Sequence, residues 1–172
     1  HPRVGAAGGP NLPPSPEGLQ EAIVASATGA PSHVLSEDLR AEHLPGCNFV
    51  VRREALDSIG GFQPQFVTAG DDVDLCWRLL DQGWELASAP AAFVWHRRRT
   101  SIARYLRQQG GYGRAEALLF EAHPGRFRDG GIHWKGSVYS GGPVSADTRS
   151  VIYFGSMGQA GYQGLAHHAV PR

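Results

Sequence analysis

Between Thr68 and Gly83 the side chains sort onto two sides of a helix. At about 100° per residue, Val73, Leu75, Cys76, Trp77, Leu79 and Leu80 fall on one broad apolar arc. Asp71, Asp74, Arg78, Asp81 and Gln82 fall on the other, solvated side. The spacing predicts a helix over 71–82, with Asp71 as N-cap, Asp74 in a capping-box-like position and Gly83 as the C′ residue. Asp72 breaks the pattern, because it points into the apolar arc between Cys76 and Leu79. A carboxylate so placed costs free energy unless it has a partner or a task. It reads either as the true N-cap, bonding free amides of the first turn, or as a functional acid.

The other elements are shorter. Residues 1–18 are loop, rich in Gly and Pro, with Arg3 to Ala7 as at most one short strand. Glu17 to Thr28 reads as a helix, capped by Ser15, with Pro16 at its first position and Gly29 at its end. Residues 30–45 read as irregular. Phe49 to Val51 is a strand, and Arg53 to Ile59 a short helix stopped by Gly60 and Gly61, after which Phe62 buries its ring. Trp84 to Ala87 and Ala92 to Trp95 read as two strands. Trp77 and Trp95 both fit core positions. Thr100 caps a helix that carries Ile102, Tyr105, Leu106, Leu118 and Leu119, and Gly110, Gly111 and Gly113 should bend or split it. From His123 the chain is Gly-rich, with short strands around Trp134, Val138-Tyr139 and Val151 to Phe154.

Composition narrows the function classes. The 16 basic and 16 acidic residues cancel, so no overall basic field points to a nucleic-acid partner. No apolar run has the length of a membrane span, and the start shows no signal-peptide pattern. A start at His1 rather than Met leads us to expect a piece of a longer protein. Cys47 and Cys76 read as buried thiols of a reducing compartment rather than a disulfide. The Gly-rich loop near Gly8 has neither dinucleotide nor Walker spacing, and His167-His168 is too isolated for a metal site.

An ordered set of motifs carries the function. Gly46-Cys-Asn-Phe-Val-Val-Arg-Arg-Glu-Ala-Leu, then Ile59-Gly-Gly-Phe, then Gly70-Asp-Asp-Val-Asp-Leu-Cys-Trp-Arg-Leu, then Gly83, resembles the second half of a family 2 glycosyltransferase domain. The set runs over about forty residues and so is more specific than any single motif. The resemblance implies an α/β fold of the partial GT-A type, the nucleotide-diphospho-sugar transferase fold, with a mixed sheet, flanking helices and an irregular Gly-rich C-terminal extension. Residues 1–122 would be the C-terminal half of the domain and 123–172 the extension. Asp72 matches the second acid of the family's E-D pair, the usual general base of an inverting transfer. Asp71 stands where the family often has Glu.

The same resemblance implies the remaining site residues. His96 would help hold a divalent metal, Mg or Mn, on the donor diphosphate. Asn48 and Arg97, Arg98, Arg107 and Arg114 are the candidate substrate contacts. For Arg97 to Arg99 the plain alternative is a solvated face. The segment Gln108 to Arg114 lacks the Trp of a processive Q-x-x-R-W motif, so processive synthesis is not implied. No D-x-D precedes residue 46, so the main donor half should lie outside this chain and the fragment alone should be inactive. The implied partners are a nucleotide-sugar donor and a carbohydrate or lipid-linked acceptor. The implied setting is a membrane-anchored parent, working on the cytoplasmic side in cell-envelope polysaccharide chemistry. An incomplete sheet would leave an edge for a homodimer. A second reading is a non-catalytic binding or scaffolding domain with a partial GT-A fold. The two differ in whether Asp72 is satisfied by its own helix or faces a cleft shared with His96 and the arginines.

Overall fold

The computed structural model describes residues 1–27, 29–128, 131–140 and 152–153. Its strands are β1 (Val4–Gly8), β2 (Asn11–Leu12), β3 (Ser32–Glu37), β4 (Arg40–His43), β5 (Phe49–Val51), β6 (Glu85–Ser88), β7 (Val94–Trp95), β8 (Phe127–Arg128), β9 (Gly131–Ile132), β10 (Ser137–Ser140) and β11 (Ile152–Tyr153). Its helices are α1 (Leu19–Ser26), α2 (Arg53–Ser58), α3 (Asp71–Asp81) and α4 (Ile102–Ala122). Seven strands form a mixed sheet in the order β11-β10-β3-β4-β6-β1-β5. Only the β1–β6 pair is parallel; the others are antiparallel. β2 pairs with β7, and β8 with β9, as two small ribbons. This is the mixed α/β architecture of a partial GT-A domain.

α3 is the shared wall of two cores. Leu75, Cys76 and Leu79 pack with Ala6, Ala41, Leu44, Ala55 and Leu86 against the sheet. Val73 and Trp77 pack with Phe66, Leu119 and Ile132 under α4. The broad apolar arc read from the sequence therefore serves two contacts at once. Gly83 ends the helix with φ 82°, as its position after the last apolar residue predicts.

Several expectations are corrected. The N-cap of α3 is Gly70, at φ 83°, rather than Asp71. A Cβ there would lie 3.1 Å from the Ala115 side chain and 3.2 Å from that of Phe66, so the chain turns where only glycine fits. Asp74 is buried, with 2% of its surface exposed, because the end of α4 crosses the flank that a lone helix would leave wet. Residues 32–43 form the β3–β4 hairpin, where polar Glu42 and His43 hide the strand pattern and neighbouring strands supply the stability. α1 begins at Leu19 behind Gly18, without a side-chain cap from Ser15. Ser101, not Thr100, caps α4, its hydroxyl accepting from the Arg104 amide at 3.4 Å. α4 is unbroken for 21 residues despite its glycines. Phe62 and Trp95 are exposed, and Trp95 leans edge-on against Phe93 with 66% of its surface open. Cys47 is exposed; Cys76 is buried. His167-His168 and most of the strand expected around Val151 to Phe154 lie outside the described residues. No helix among those residues is long and apolar enough to cross a membrane.

Candidate functional site

The first turn of α3 carries three carboxylates with three different environments. Asp74 is a clamp. Arg78 Nε donates to its Oδ2 at 2.8 Å, and His123 Nε2 lies 2.8 Å from its Oδ1. Arg78 also donates to the Ile59 carbonyl at 2.8 Å. One buried acid thus ties α3 to the end of α4 and to the turn before Gly60. Asp71 is half-buried; burial raises its carboxyl above the ordinary range, and the charge of Asp72 adds to the rise.

Asp72 is different. Its Oδ2 accepts from the Gly46 amide at 2.8 Å, and its Oδ1 from the Val73 amide at 2.9 Å. The side chain keeps 24% of its surface open, although protein surrounds the carboxylate. Burial alone would raise this carboxyl. His43 and the two amides outweigh burial and hold it below the ordinary carboxylate range. His43 Nε2 sits 3.7 Å from Oδ2, too long for a hydrogen bond and within ion-pair reach when the ring is protonated. Neither His43 ring nitrogen has a hydrogen-bond partner. The residue at Gly46 that receives Asp72 opens the Gly-x-Asn motif, so the loop and the acid pair recognised in the sequence meet here.

Tyr112 of α4 is close enough to feel the same charge. Burial raises its hydroxyl, the negative charge of Asp72 adds to that, and Arg98 and Arg99 pull the other way. Asp72 and the arginines after β7 therefore share Tyr112 as a neighbour. His96 precedes those arginines, and its Nδ1 is buried with no partner. Burial lowers its imidazole below the ordinary value, and Arg98 and Arg99 lower it further, which leaves the ring neutral at neutral pH. A neutral imidazole is the form that binds a metal. Among the described residues no group of three or more His, Cys, Asp or Glu gathers for an ion.

The remaining candidates are dispersed. Arg97 pairs with Glu17 and Glu21 beside α1. Arg98 caps the end of α1, donating to the Ala27 carbonyl at 2.7 Å and to Val24, and lies over the Tyr105 ring. Asn48 Nδ2 donates to the Pro10 and Ala92 carbonyls at 2.9 and 2.7 Å, pinning the loop beside β2 to the one before β7. Arg107 and Arg114 are exposed on α4. Sequence reasoning missed His43, Tyr112 and His123. His43 and His123 lie in no quoted motif, and Tyr112 falls in the Gln108 to Arg114 segment at a position that no motif residue marks; each ring is set by partners far along the chain.

Comparison with known proteins bears on these residues. The profile of the family described as "Glycosyltransferase like family 2" matches residues 22–111, more than half of the chain, and this span holds Asn48, Asp71, Asp72 and His96. Pre-mycofactocin glycosyltransferase of Mycobacterium tuberculosis (strain CDC 1551 / Oshkosh) is 37% identical over 82 residues, as is the protein of the same name in strain ATCC 25618 / H37Rv. Those residues make up 48% of this chain and 17% of each relative, so the chain spans only a small part of their length. No solved structure matches the chain significantly.

Proposed function

The chain belongs to glycosyltransferase family 2, and from that premise we propose that it is the acceptor-side part of an inverting sugar transferase in which Asp72 is the general base. The observation that carries this reading is the setting of Asp72: fixed by two backbone amides and still partly open to solvent, with its carboxyl held below the ordinary range by His43 and those amides. A carboxylate so held can accept the proton of an acceptor hydroxyl. The freed oxygen forms its bond to the anomeric carbon as the bond to the nucleoside diphosphate breaks, and the electron pair leaves with the diphosphate. Asp71, whose carboxyl is raised, lies beside it as a supporting acid.

His96 is the residue of this chain that fits a divalent cation, magnesium or manganese, because its neutral ring keeps a buried nitrogen without a partner. The chemistry such a cation supplies is charge neutralisation on the leaving diphosphate. Residues 1–122 carry all of these groups; of the described residues after them, β10 and β11 extend the sheet, and Phe127, Ile132 and Trp134 close the second core. We place the donor-binding half elsewhere in a membrane-anchored parent that works on the cytoplasmic side, in cell-envelope polysaccharide chemistry. Its acceptor would be a carbohydrate or lipid-linked hydroxyl. The name of the two relatives adds pre-mycofactocin to the acceptors to be tried.

The test is transfer by the full-length protein with a panel of nucleotide sugars and acceptors, wild type against Asp72→Asn. Loss of about 100-fold or more in kcat, with the fold intact, supports the base. One observation favours the second reading, a non-catalytic scaffold: the Val73 amide of its own helix already satisfies one Asp72 oxygen. Near-normal turnover by the folded Asp72→Asn protein would select that role for Asp72.

A further inference from the structure

We propose that His43 is the positioning residue of Asp72: a buried imidazole that fixes the carboxylate at the start of α3 and sets the pH below which transfer fails. This rests on Asp72 being the base.

The geometry carries it. His43 ends β4, with 7% of its side chain exposed, and neither nitrogen finds a hydrogen-bond partner. Buried polar atoms are seldom left so, because each gives up its hydration for nothing. The ring faces Asp72 Oδ2 at 3.7 Å, the oxygen that the Gly46 amide holds. Trp134 covers the ring, with centroids 5.6 Å apart and planes tilted by 32°. The imidazole is thus held between an indole and a carboxylate, and protonation gives the carboxylate a cation at short range. His43 therefore acts through Asp72 rather than on a substrate.

The groups around the ring agree with that role. From α3 comes Asp72, the one carboxylate within ion-pair distance of His43 among the described residues. From β3 comes His33, whose ring opposes a second positive charge beside His43. Glu42, the preceding residue of β4, is occupied elsewhere: it accepts from the Lys135 and Gly136 amides at 2.8 and 3.0 Å and lies 3.8 Å from Arg126. From the segment after β9 comes Trp134, which is uncharged. Around Asp72 itself stand Asp71, Cys47 and Tyr112, all of which feel its charge. His43 is the member of this group that can offset the charge of Asp72 by gaining a proton. Without it, the burial of Asp72 is opposed by backbone amides alone, so the carboxylate takes up its proton at higher pH.

The experiment is the pH profile of kcat/KM for the full-length protein, comparing wild type, His43→Gln and His43→Asn. The acid limb should move to higher pH in both variants, by about one unit or more, the size expected when a cation this close to a carboxylate is lost. A purely structural ring would lower activity without moving the limb. Profiles whose limbs superimpose on wild type overturn the proposal. Asp72→Asn, measured alongside, separates the two claims. If it is inactive while the His43 limbs do not move, His43 alone is refuted. If it is active, the base reading fails and takes this one with it. Should both His43 variants fail to fold, carbon-13 titration of labelled Asp and His in the wild-type protein decides. Linked titration of Asp72 and His43 supports the coupling, and independent curves overturn it.

Discussion

Asp74 is buried at the start of α3 by a partner that lies far along the chain. The wheel puts it on the wet side, and in isolation it would be there. His123 arrives from 49 positions away and closes over it, with the Trp77 ring 5.1 Å from that imidazole. Asp74, Arg78 and His123 thus form a largely buried polar set that is complete only in the folded chain. Removing the acid leaves Arg78 with only the Ile59 carbonyl and His123 without its carboxylate, both largely out of water, at up to about 3–5 kcal/mol. We expect Asp74→Asn to lower unfolding free energy by that order, measured by urea titration followed by tryptophan fluorescence. A change below about 1 kcal/mol would mean that water reaches Arg78 and His123. Asp72 was legible for the opposite reason. It broke the periodicity and also stood in a motif, so two signals converged on it. His43 gave neither signal. Trp95 fits a core position by alternation and is exposed, because alternation predicts a face without saying whether anything covers it.

Helices were easier to find than to bound. α3 appeared from its period and its glycine stop, and α2 from its flanking strand and Gly60-Gly61. The β3–β4 hairpin did not appear, since its inward residues include Glu42 and His43 and its partners β6 and β10 lie far along the chain. α4 illustrates a propensity overruled by packing. Gly110, Gly111 and Gly113 each weaken a helix by about 0.5–1 kcal/mol relative to Ala. Buried Ala115 and Leu119 and the α1 contact keep it continuous nonetheless. This gives a prediction with two signs. At Gly113 an added methyl meets nothing within 4 Å, so Gly113→Ala should stabilise by about 0.5–1 kcal/mol. At Gly70 the φ of 83° and the contacts at 3.1 and 3.2 Å forbid it, so Gly70→Ala should destabilise by more than about 1 kcal/mol. Thermal melts of the two variants check both. A stabilising Gly70→Ala would contradict the tight passage of α4 over the start of α3.

The sheet is completed late in the chain. β10 pairs with β3, while Ile132 and Trp134 join the core that α3 and α4 begin. The strand around Val138-Tyr139 is legible in the sequence; its pairing and the late core contacts are not, because they join the stretch after α4 to residues near 32–43, about a hundred positions away. His33 lies in that seam, stacked on Tyr139 at 5.5 Å with planes 12° apart, and its Nδ1 is buried without a partner. Burial, with the charge of His43 adding to it, pushes its imidazole from an ordinary 6.5 down to about 4. The sign follows from proton counting. Between those two values the unfolded chain binds a proton at His33 that the native protein does not. Its contribution to stability is therefore full above about pH 6.5, falls as the pH drops, and levels off below about pH 4. Urea midpoints taken from pH 7 to pH 4 should decline in the wild type. In His33→Gln, which has no proton to gain, the decline should be smaller by the share belonging to His33. Parallel curves for the two proteins would mean that His33 protonates freely in the native state. The seam between β3 and β10 would then admit water, and Trp134 would no longer keep a dry wall behind His43.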